Sequence, residues 1–302
     1  MSRPHVVTSS ELQSLRDLEL MTKATVEGLR HGLHRSPFHG YSAEFSQYRH
    51  YRPGDDLKYV DWKAFARTDR IYTRQFRETT NLSALFVIDV SRSMDFPSGN
   101  REPGAGSRKS KFELARSVAA ILGTLVLDQG DAAGVLALDD RAHFVPPRSG
   151  HNHLRVLLAE VASLAPGGSL SIAEALRRAA TILKRRGMVI VISDLYDDEA
   201  AIGEARRLSR MGHDVIIVHT LSREELTLDV GGAAEFVDLE SGRKLMVQPS
   251  AARDSYVAAF TAWLSTVEQQ LRREGIDYLR LIADEPLERG LRRFLVDRRG
   301  TS

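Results

Sequence analysis

The chain has 302 residues, of which 42% are hydrophobic and 27% are charged, with a formal net charge of +2 and no cysteine. This balance is that of a globular protein with enough apolar residues for one large core or two modest ones. The near-neutral charge provides no overall basic field for nucleic acid or an anionic membrane. The lack of cysteine excludes disulfides, thiolate zinc sites and cysteine nucleophiles. Because the sequence shows neither a signal peptide nor about 18 consecutive apolar residues, we expect a soluble, cytoplasmic protein.

The first 80 residues differ in composition from the rest of the chain. Leucines at helical spacing predict a helix over 10–31. Ten of the 21 aromatic residues lie between Phe38 and Phe76, interleaved with arginines, and short alternating runs there predict strands. We therefore expect 1–80 to form an N-terminal helix plus a small strand-rich subdomain, and 81–302 to form the main domain.

From residue 83 onward, apolar strands alternate with amphipathic helices. The runs 84–89 and 188–193 are apolar up to their final residues, Asp89 and Ser193, which is typical of strands buried on both faces. The same pattern predicts strands at 131–138, 214–219 and 277–282, hairpins at 131–145 and 234–247, and helices at 111–128, 151–163, 172–186, 198–211, 250–274 and 286–297. This alternation predicts an α/β fold with a doubly wound, mostly parallel sheet and helices on both faces.

Polar side chains follow the two most apolar strands directly. In an open α/β sheet, ligands bind beyond the carboxyl ends of the strands, so these side chains are candidates for one site. The candidate ligands are Asp89, Ser91 and Ser93 after the first strand, Asp194 after the second, and Ser169 or Ser171 from the loop between them. Carboxylate and hydroxyl oxygens suit a hard cation such as Mg²⁺, with Mn²⁺ or Ca²⁺ as alternatives.

The order of these motifs resembles that of the von Willebrand A domain. That family has Asp-x-Ser-x-Ser after a hydrophobic strand, a threonine from a second loop and an aspartate from a third, which together form a metal-ion-dependent adhesion site. The resemblance implies that Asp89, Ser91 and Ser93 are the first element and Asp194 is the third. The sequence departs from the pattern in two places. Ser169 or Ser171 stands where threonine is expected, and Leu195 stands where glycine usually follows the last aspartate.

Longer motifs in the N-terminal part are similar to the bacterial DUF58 family. The similarity lies in residues 32–37, 44–45, 48–56 and 60–67. That family pairs such a segment with a von Willebrand A-like domain and is commonly associated with MoxR-type AAA+ ATPases. The resemblance implies a partner of that type and an adaptor role in chaperone-like assembly or metal insertion. The expected function is a non-enzymatic, metal-dependent protein-binding module.

Two other functions stay open from the sequence. The first is a metal-dependent hydrolase that uses the same carboxylates, although neither a P-loop nor a GxSxG elbow is present and no histidine lies near the serines in sequence. The second is a metal-free scaffold in which the Asp and Ser side chains only hydrogen-bond across the loops. Zinc binding by His31, His34, His39 and His50 is disfavoured because they lack the usual ligand spacing. The arginines and aromatic residues of 35–77 are interpreted as structural rather than as a nucleic-acid surface.

Overall fold

A computed structural model of the chain describes residues 9–30, 43–52, 55–56, 60–78, 82–96, 109–139, 142–168, 171–196, 198–229, 234–239 and 242–300. The chain divides into two compact units. The smaller unit is Phe38–Leu82, and the larger comprises Met1–Pro37 and Ser83–Ser302.

The smaller unit contains the strands that the aromatic-rich segment predicts. Strands β1 (Ala43–His50) and β2 (Tyr72–Glu78) pair antiparallel, and helix α2 (Trp62–Thr68) lies between them in sequence. Asp61 caps α2 by accepting hydrogen bonds from the backbone of Lys63 and Ala64, and Tyr48 donates to its other oxygen at 2.8 Å. The Asp61 carboxylate thus begins a helix.

Six strands of the larger unit form one sheet, in the order β10-β7-β6-β3-β4-β5. The strands of this unit are β3 (Ser83–Ile88), β4 (Ala132–Leu138), β5 (Ala142–Arg148), β6 (Met188–Ser193), β7 (Asp214–Leu221), β8 (Ala234–Val237), β9 (Lys244–Val247) and β10 (Asp277–Ile282). All neighbours in the main sheet are parallel except β5, which pairs antiparallel with β4. Strands β8 and β9 form a separate hairpin.

Helices cover both faces of this sheet, as the sequence predicts. They are α3 (Lys111–Asp128), α4 (His151–Ser163), α5 (Ile172–Ile182), α6 (Asp198–Arg210), α7 (Arg223–Thr227), α8 (Pro249–Arg273) and α9 (Leu287–Gly300). Side chains such as Leu85 and Val87 point to one face, where they form a core with α5, α6 and α8. The alternate residue Phe86 lies against α3 on the opposite face. The doubly wound, mostly parallel sheet is therefore confirmed.

The N-terminal helix α1 (Ser9–Arg30) packs within the larger unit. Its buried residues Leu18, Val26 and Leu29 belong to a helix that contacts α3 and α4. Helix α3 is buried on nearly all sides because the sheet covers one face and these helices cover the other. The expected boundary at residue 80 groups α1 with the aromatic-rich segment, whereas the compact unit that contains α1 resumes at Ser83. An amphipathic stripe shows that a helix needs an apolar partner but not which surface supplies it.

One helix is shorter than its periodicity predicts. Helix α5 ends at Ile182 instead of 186, and the remaining residues form the loop that brings Gly187 beside Ser83. A Cβ atom at Gly187 would lie 2.6 Å from the Ser83 carbonyl oxygen, so the backbone at Gly187 approaches the start of β3 too closely for a side chain.

None of the described helices combines the length and apolarity needed to cross a membrane.

Gly134 allows a close approach of β4 and β5 that a side chain would obstruct. A Cβ atom there would lie 2.6 Å from both the Val145 carbonyl oxygen and the Pro147 nitrogen, next to an irregularity in the strand register. We expect Gly134→Ala to lower the free energy of unfolding by about 1–3 kcal/mol, measured by urea denaturation.

The matched control is Gly203→Ala. Gly203 lies in α6, where an added Cβ atom has no neighbour within 4 Å. Alanine should stabilise this helix by about 0.5–1 kcal/mol because it reduces the entropy of the unfolded chain. Equal effects of the two substitutions would contradict the close approach at Gly134.

Candidate functional site

The candidate ligands lie at the point where the order of the parallel sheet reverses. From β3 the chain continues through β4 and β5 on one side, and it then crosses back to β6 on the other side. The carboxyl ends of β3 and β6 are therefore adjacent, and Asp89 and Asp194 directly follow them. The Asp89 backbone nitrogen donates to the Ile192 carbonyl at 2.9 Å, which extends the pairing up to the site. Crevices for ligands form at such switch points.

Asp89 is buried and held by short hydrogen bonds. Its Oδ1 accepts from the Ser91 backbone nitrogen at 2.9 Å, and its Oδ2 accepts from Ser193 Oγ at 2.5 Å. Ser193 Oγ in turn accepts from the Leu195 nitrogen at 2.9 Å. Burial, together with the negative charge of Asp194, raises the pKa of Asp89 to about 6. These two effects outweigh the hydrogen bonds, which act to lower it.

Ser91 and Ser93 bring two hydroxyl oxygens together beside Asp89. Ser91 precedes a short 3-10 helix, Arg92–Asp95, and its Oγ lies 3.1 Å from Ser93 Oγ. Adjacent ligands of an octahedral Mg²⁺ at 2.0–2.1 Å would be about 2.9 Å apart. The spacing of the two hydroxyls thus fits neighbouring positions around such a cation.

The loop that contains the second candidate element also reaches this site. The backbone nitrogens of Gly167 and Gly168 both donate to the Val90 carbonyl at 2.8 Å, and Gly168 forms a parallel bridge with Ser91. Ser169 follows immediately but lies outside the described residues. Ser171 is exposed and begins α5, where its Oγ accepts from the Glu174 backbone nitrogen at 3.4 Å. Its hydroxyl therefore acts as a helix cap in this structure.

Asp194 is paired with a buried lysine that the sequence analysis did not single out. Lys111 Nζ donates to Asp194 Oδ2 at 2.8 Å and also to Glu225 Oε1, and only 2% of the lysine side chain is exposed. Burial acts to lower the pKa of Lys111, but the charges of Asp194 and Glu225 outweigh it and raise that pKa. Lys111 is also the first residue of α3, where a cation is disfavoured by the helix dipole. The carboxylates of Asp194 and Glu225 therefore stabilise the charged form of Lys111 at this helix start.

Glu225 connects this ion pair to helix α7. The helix begins with a capping box in which Ser222 Oγ accepts from the Glu225 nitrogen while Glu225 Oε2 accepts from the Ser222 nitrogen at 2.8 Å. The other carboxylate oxygen accepts from Lys111. One side chain thus both completes the start of α7 and balances the buried ammonium.

His219 fixes the backbone of Asp194 from the neighbouring strand β7. Burial lowers the pKa of His219 to about 4, so the ring is neutral at pH 7. Its Nε2 lies 3.0 Å from the Asp194 carbonyl oxygen, which can only accept, so Nε2 carries the proton. Nδ1 then accepts from the Tyr278 hydroxyl at 2.8 Å. Both ring nitrogens are occupied, so His219 is not placed to take a proton from Ser91 or Ser93.

Leu195 adopts the backbone conformation that glycine usually provides at this position. Its φ is 52°, in the left-handed region, and its side chain is almost fully buried. Such a conformation costs a bulky residue roughly 1–2 kcal/mol. Burial of a leucine side chain contributes about 1.5–3 kcal/mol in the other direction. The core contact of the leucine side chain therefore offsets the cost of its backbone conformation.

The structure brings together Asp89, Ser91, Ser93 and Asp194 and adds Ser193, Lys111, Glu225 and His219, which sequence reasoning missed. Lys111 lies on the same helical stripe as the buried residues Ala115 and Val118, so a charged residue on an apolar stripe was the available signal. Ser222 and Glu225 have the spacing of a capping box, which predicts the start of a helix but not a functional site. Within the described part of the chain, no group of three or more His, Cys, Asp or Glu side chains is arranged to hold a metal ion. The candidate site instead combines two aspartates with hydroxyls.

Loss of the Lys111 ammonium should be costly because it would leave two carboxylates uncompensated. We expect Lys111→Met to lower the free energy of unfolding by about 3–5 kcal/mol in chemical denaturation. Adding Glu225→Gln to this variant should restore part of the loss, since it removes one unpaired charge.

Arg177 provides a matched control, because it also pairs with two carboxylates, those of Glu174 and Glu204, but its side chain is 49% exposed. Arg177→Met should change the stability by about 0–1 kcal/mol. A Lys111→Met variant as stable as this control would contradict the buried ion pair.

Sequence comparisons identify relatives over most of the chain. The uncharacterised protein Rv1480 of Mycobacterium tuberculosis is 32% identical over 295 residues, which cover 95% of this chain and 89% of that protein. The uncharacterised protein YeaD of Bacillus subtilis is 26% identical over 128 residues, which cover 42% of this chain and 28% of that protein.

Comparison of folds gives more distant neighbours. The conserved hypothetical protein BatB from Bacteroides thetaiotaomicron aligns with a TM-score of 0.46 and 18% identity, covering 72% of this chain and 99% of that one. The SpRpn10 VWA domain aligns with a TM-score of 0.38 and 11% identity, covering 73% of this chain and 95% of that one. The sequence profile of the family described as protein of unknown function DUF58 matches residues 47–263. The chain therefore belongs to the DUF58 family.

Proposed function

We propose that the chain is a non-enzymatic, metal-dependent protein-binding module. A hard divalent cation, Mg²⁺ with Mn²⁺ or Ca²⁺ as alternatives, would be held by Asp89, Ser91, Ser93 and Asp194, with Ser169 or Ser171 as a further hydroxyl ligand. When bound, the cation would supply an open position for a carboxylate from a partner protein. The residues of this chain hold the oxygens in place and exclude most of the surrounding water.

The main support for the proposal is the net negative charge of the side chains that surround the candidate ligands. Asp89, Asp194 and Glu225 contribute three negative charges when ionised, and Lys111 contributes one positive charge, so this cluster carries a net −2. Asp89 and Asp194 are both buried, where an uncompensated charge is costly. A divalent cation has the charge that would neutralise the cluster.

The donor set also fits such a cation. Each oxygen of Asp89 and of Asp194 accepts a hydrogen bond from the protein. A carboxylate has about four lone-pair sites, so further sites stay open on both residues. Oxygen ligands of this type, rather than imidazole or thiolate, are those that Mg²⁺ prefers.

A binding role is favoured over hydrolysis by the surroundings of the serines. Ser91 Oγ lies against Ser93 Oγ, and the buried His219 uses both ring nitrogens for Asp194 and Tyr278. A serine nucleophile needs a base within hydrogen-bonding reach.

Metal binding can be measured directly by calorimetric titration with Mg²⁺ and Mn²⁺. We expect the wild type to bind and Asp89→Asn not to bind. Unfolding of the wild type should shift by about 2.7 kcal/mol when the free cation is at 100 times its Kd. Without metal, Asp89→Asn should be more stable than the wild type, on the order of 1–3 kcal/mol, because it removes a buried charge that Asp194 repels.

Ser117→Ala is the control for this titration. Ser117 is a buried serine of α3 whose hydroxyl donates to the Glu113 carbonyl at 2.8 Å, so its loss should leave metal binding unchanged. An absence of binding heat and of any stability shift in the wild type would overturn the proposal in favour of a metal-free scaffold.

A MoxR-type AAA+ ATPase is the partner that we propose, in an adaptor role, because of the association of the DUF58 family with such ATPases. We expect the purified ATPase of the same organism to be retained by the immobilised wild-type protein in Mg²⁺. Retention should be lost in a chelator and in Asp89→Asn, whereas Ser117→Ala should behave as the wild type.

Equal retention under all these conditions would show that the contact does not use the metal. A lack of retention in Mg²⁺ would remove this ATPase as the partner while leaving the calorimetric result unaffected. The two experiments therefore test the metal site and the partner separately.

A further inference from the structure

A mostly apolar pocket opens directly beside the candidate metal site. Its volume is about 450 Å³, and its lining includes Ser93 and Lys111, which belong to the site, and Glu225, which pairs with Lys111. Ser93 and Lys111 are buried, so they lie at the inner end of the pocket. We call this cavity the side pocket.

The walls of the side pocket combine the two loops of the candidate metal site with elements outside it. Ten of its fifteen lining residues are aromatic or aliphatic, and they come from α8, the end of α7, the β8–β9 hairpin with the residues after β8, and the loops after β3 and β6. Tyr256 on α8 donates to the Glu225 carbonyl at 2.8 Å and stacks on Phe260, which stacks on Trp263. This wall is thus held in place by a hydrogen bond and a row of packed rings.

Large apolar side chains continue from the side pocket onto the surface. Tyr196 and Leu245 line it while being 63% and 64% exposed. Contiguous exposed apolar side chains rimmed by polar ones are typical of protein-interaction sites. A small ligand enclosed by the side pocket would leave the exposed apolar rim in contact with water. A polypeptide segment could fill the pocket and also cover the rim.

We propose that the side pocket binds the bulky apolar side chain that flanks the metal-bound carboxylate in a partner segment. The occupant is a peptide in which Asp or Glu is adjacent to a large aliphatic or aromatic residue. The carboxylate would reach the cation beside Ser93, and the neighbouring side chain would enter the pocket that Ser93 also lines. This inference rests on the proposed function and adds the sequence preference of the partner.

The charges of the site support this orientation of the peptide. The lining carries one cationic side chain, Lys111, and three carboxylates, Glu224, Glu225 and Asp238, so a peptide carboxylate would be held only in direct contact with the bound cation beside Ser93. The outer walls are apolar, so a carboxylate is favoured only at the inner end and an apolar side chain only against the walls. An acidic peptide without a bulky neighbour would leave the walls exposed to water.

The test uses a positional-scanning mixture of terminally blocked hexapeptides with one fixed Asp, retained on the full-length protein in Mg²⁺. We expect the retained fraction to be enriched in Leu, Ile, Met, Phe, Tyr or Trp next to the Asp. In the Ala252→Trp variant, the new ring would fill the pocket from α8, and the affinity for these peptides should fall about 10-fold or more.

The control variant is Ala259→Trp, which places the same ring on an exposed part of α8 outside the pocket. Both variants should bind Mg²⁺ as the wild type does in calorimetry, since neither residue belongs to the metal site. An apolar preference that persists in Ala252→Trp, or acidic peptides retained without any apolar preference, would overturn the side-pocket inference.

The failure of this inference and that of the proposed function are distinguishable. Mg²⁺ binding by the wild type with no retained peptide would reject the side pocket and leave the metal site standing. An absence of Mg²⁺ binding would overturn both. Retention in Mg²⁺ that is lost in a chelator, together with the loss in Ala252→Trp alone, would establish the side pocket as part of the partner-binding surface.

Discussion

Asp89 and Asp194 stand at the ends of neighbouring parallel strands, where little water reaches either carboxylate and the charge of one disfavours the charge of the other. Much of the surrounding structure offsets this repulsion. Ser193 donates to Asp89, and Lys111 donates to Asp194 and recruits Glu225 as its second partner. The arrangement costs stability that a core of apolar residues would not, and such departures from an apolar core cluster at functional sites in proteins generally.

The side pocket extends this polar cluster into an apolar surface. Lys111 and Ser93 take part in both, so the charged and apolar parts of the surface meet at two buried side chains rather than across solvent. Specific recognition commonly combines a few well-placed polar groups with apolar walls, because polar groups fix the orientation and apolar area supplies much of the affinity. The β8–β9 hairpin and α8, which are remote from the candidate site in sequence, would acquire a role in the proposed binding through this junction.

The sequence was sufficient to predict the elements that repeat a simple period. The bounds of α3 and α4 and of β6 agree with the sequence prediction, and the switch point follows from apolar strands that end in Asp89 and Asp194. The features that the sequence did not predict depend on tertiary contacts. The packing of α1 depends on which surface is free to receive it, and the pairing of Lys111 with Glu225 joins residues 114 positions apart. Periodicity and short motifs contain no information on such distant partners.

The position after Asp194 illustrates a limit of motif matching. A motif records residue types, and leucine in place of glycine counts as a mismatch. Leu195 nevertheless has a φ of 52°, in the left-handed region that favours glycine. The surrounding core offsets the cost of this conformation, because the leucine side chain is buried within it.

Glu225 gives helix α7 an influence that its length does not suggest. A helix of five residues is not stable by itself, and it would normally open and close independently of the core. Here opening would withdraw the carboxylate from Lys111 and leave a buried ammonium with half of its compensation. Local opening of α7 is therefore coupled to the energy of the Lys111 ion pair, and its hydrogen-bonded amides, such as those of Glu225 and Leu228, should exchange with solvent more slowly than in an isolated five-residue helix.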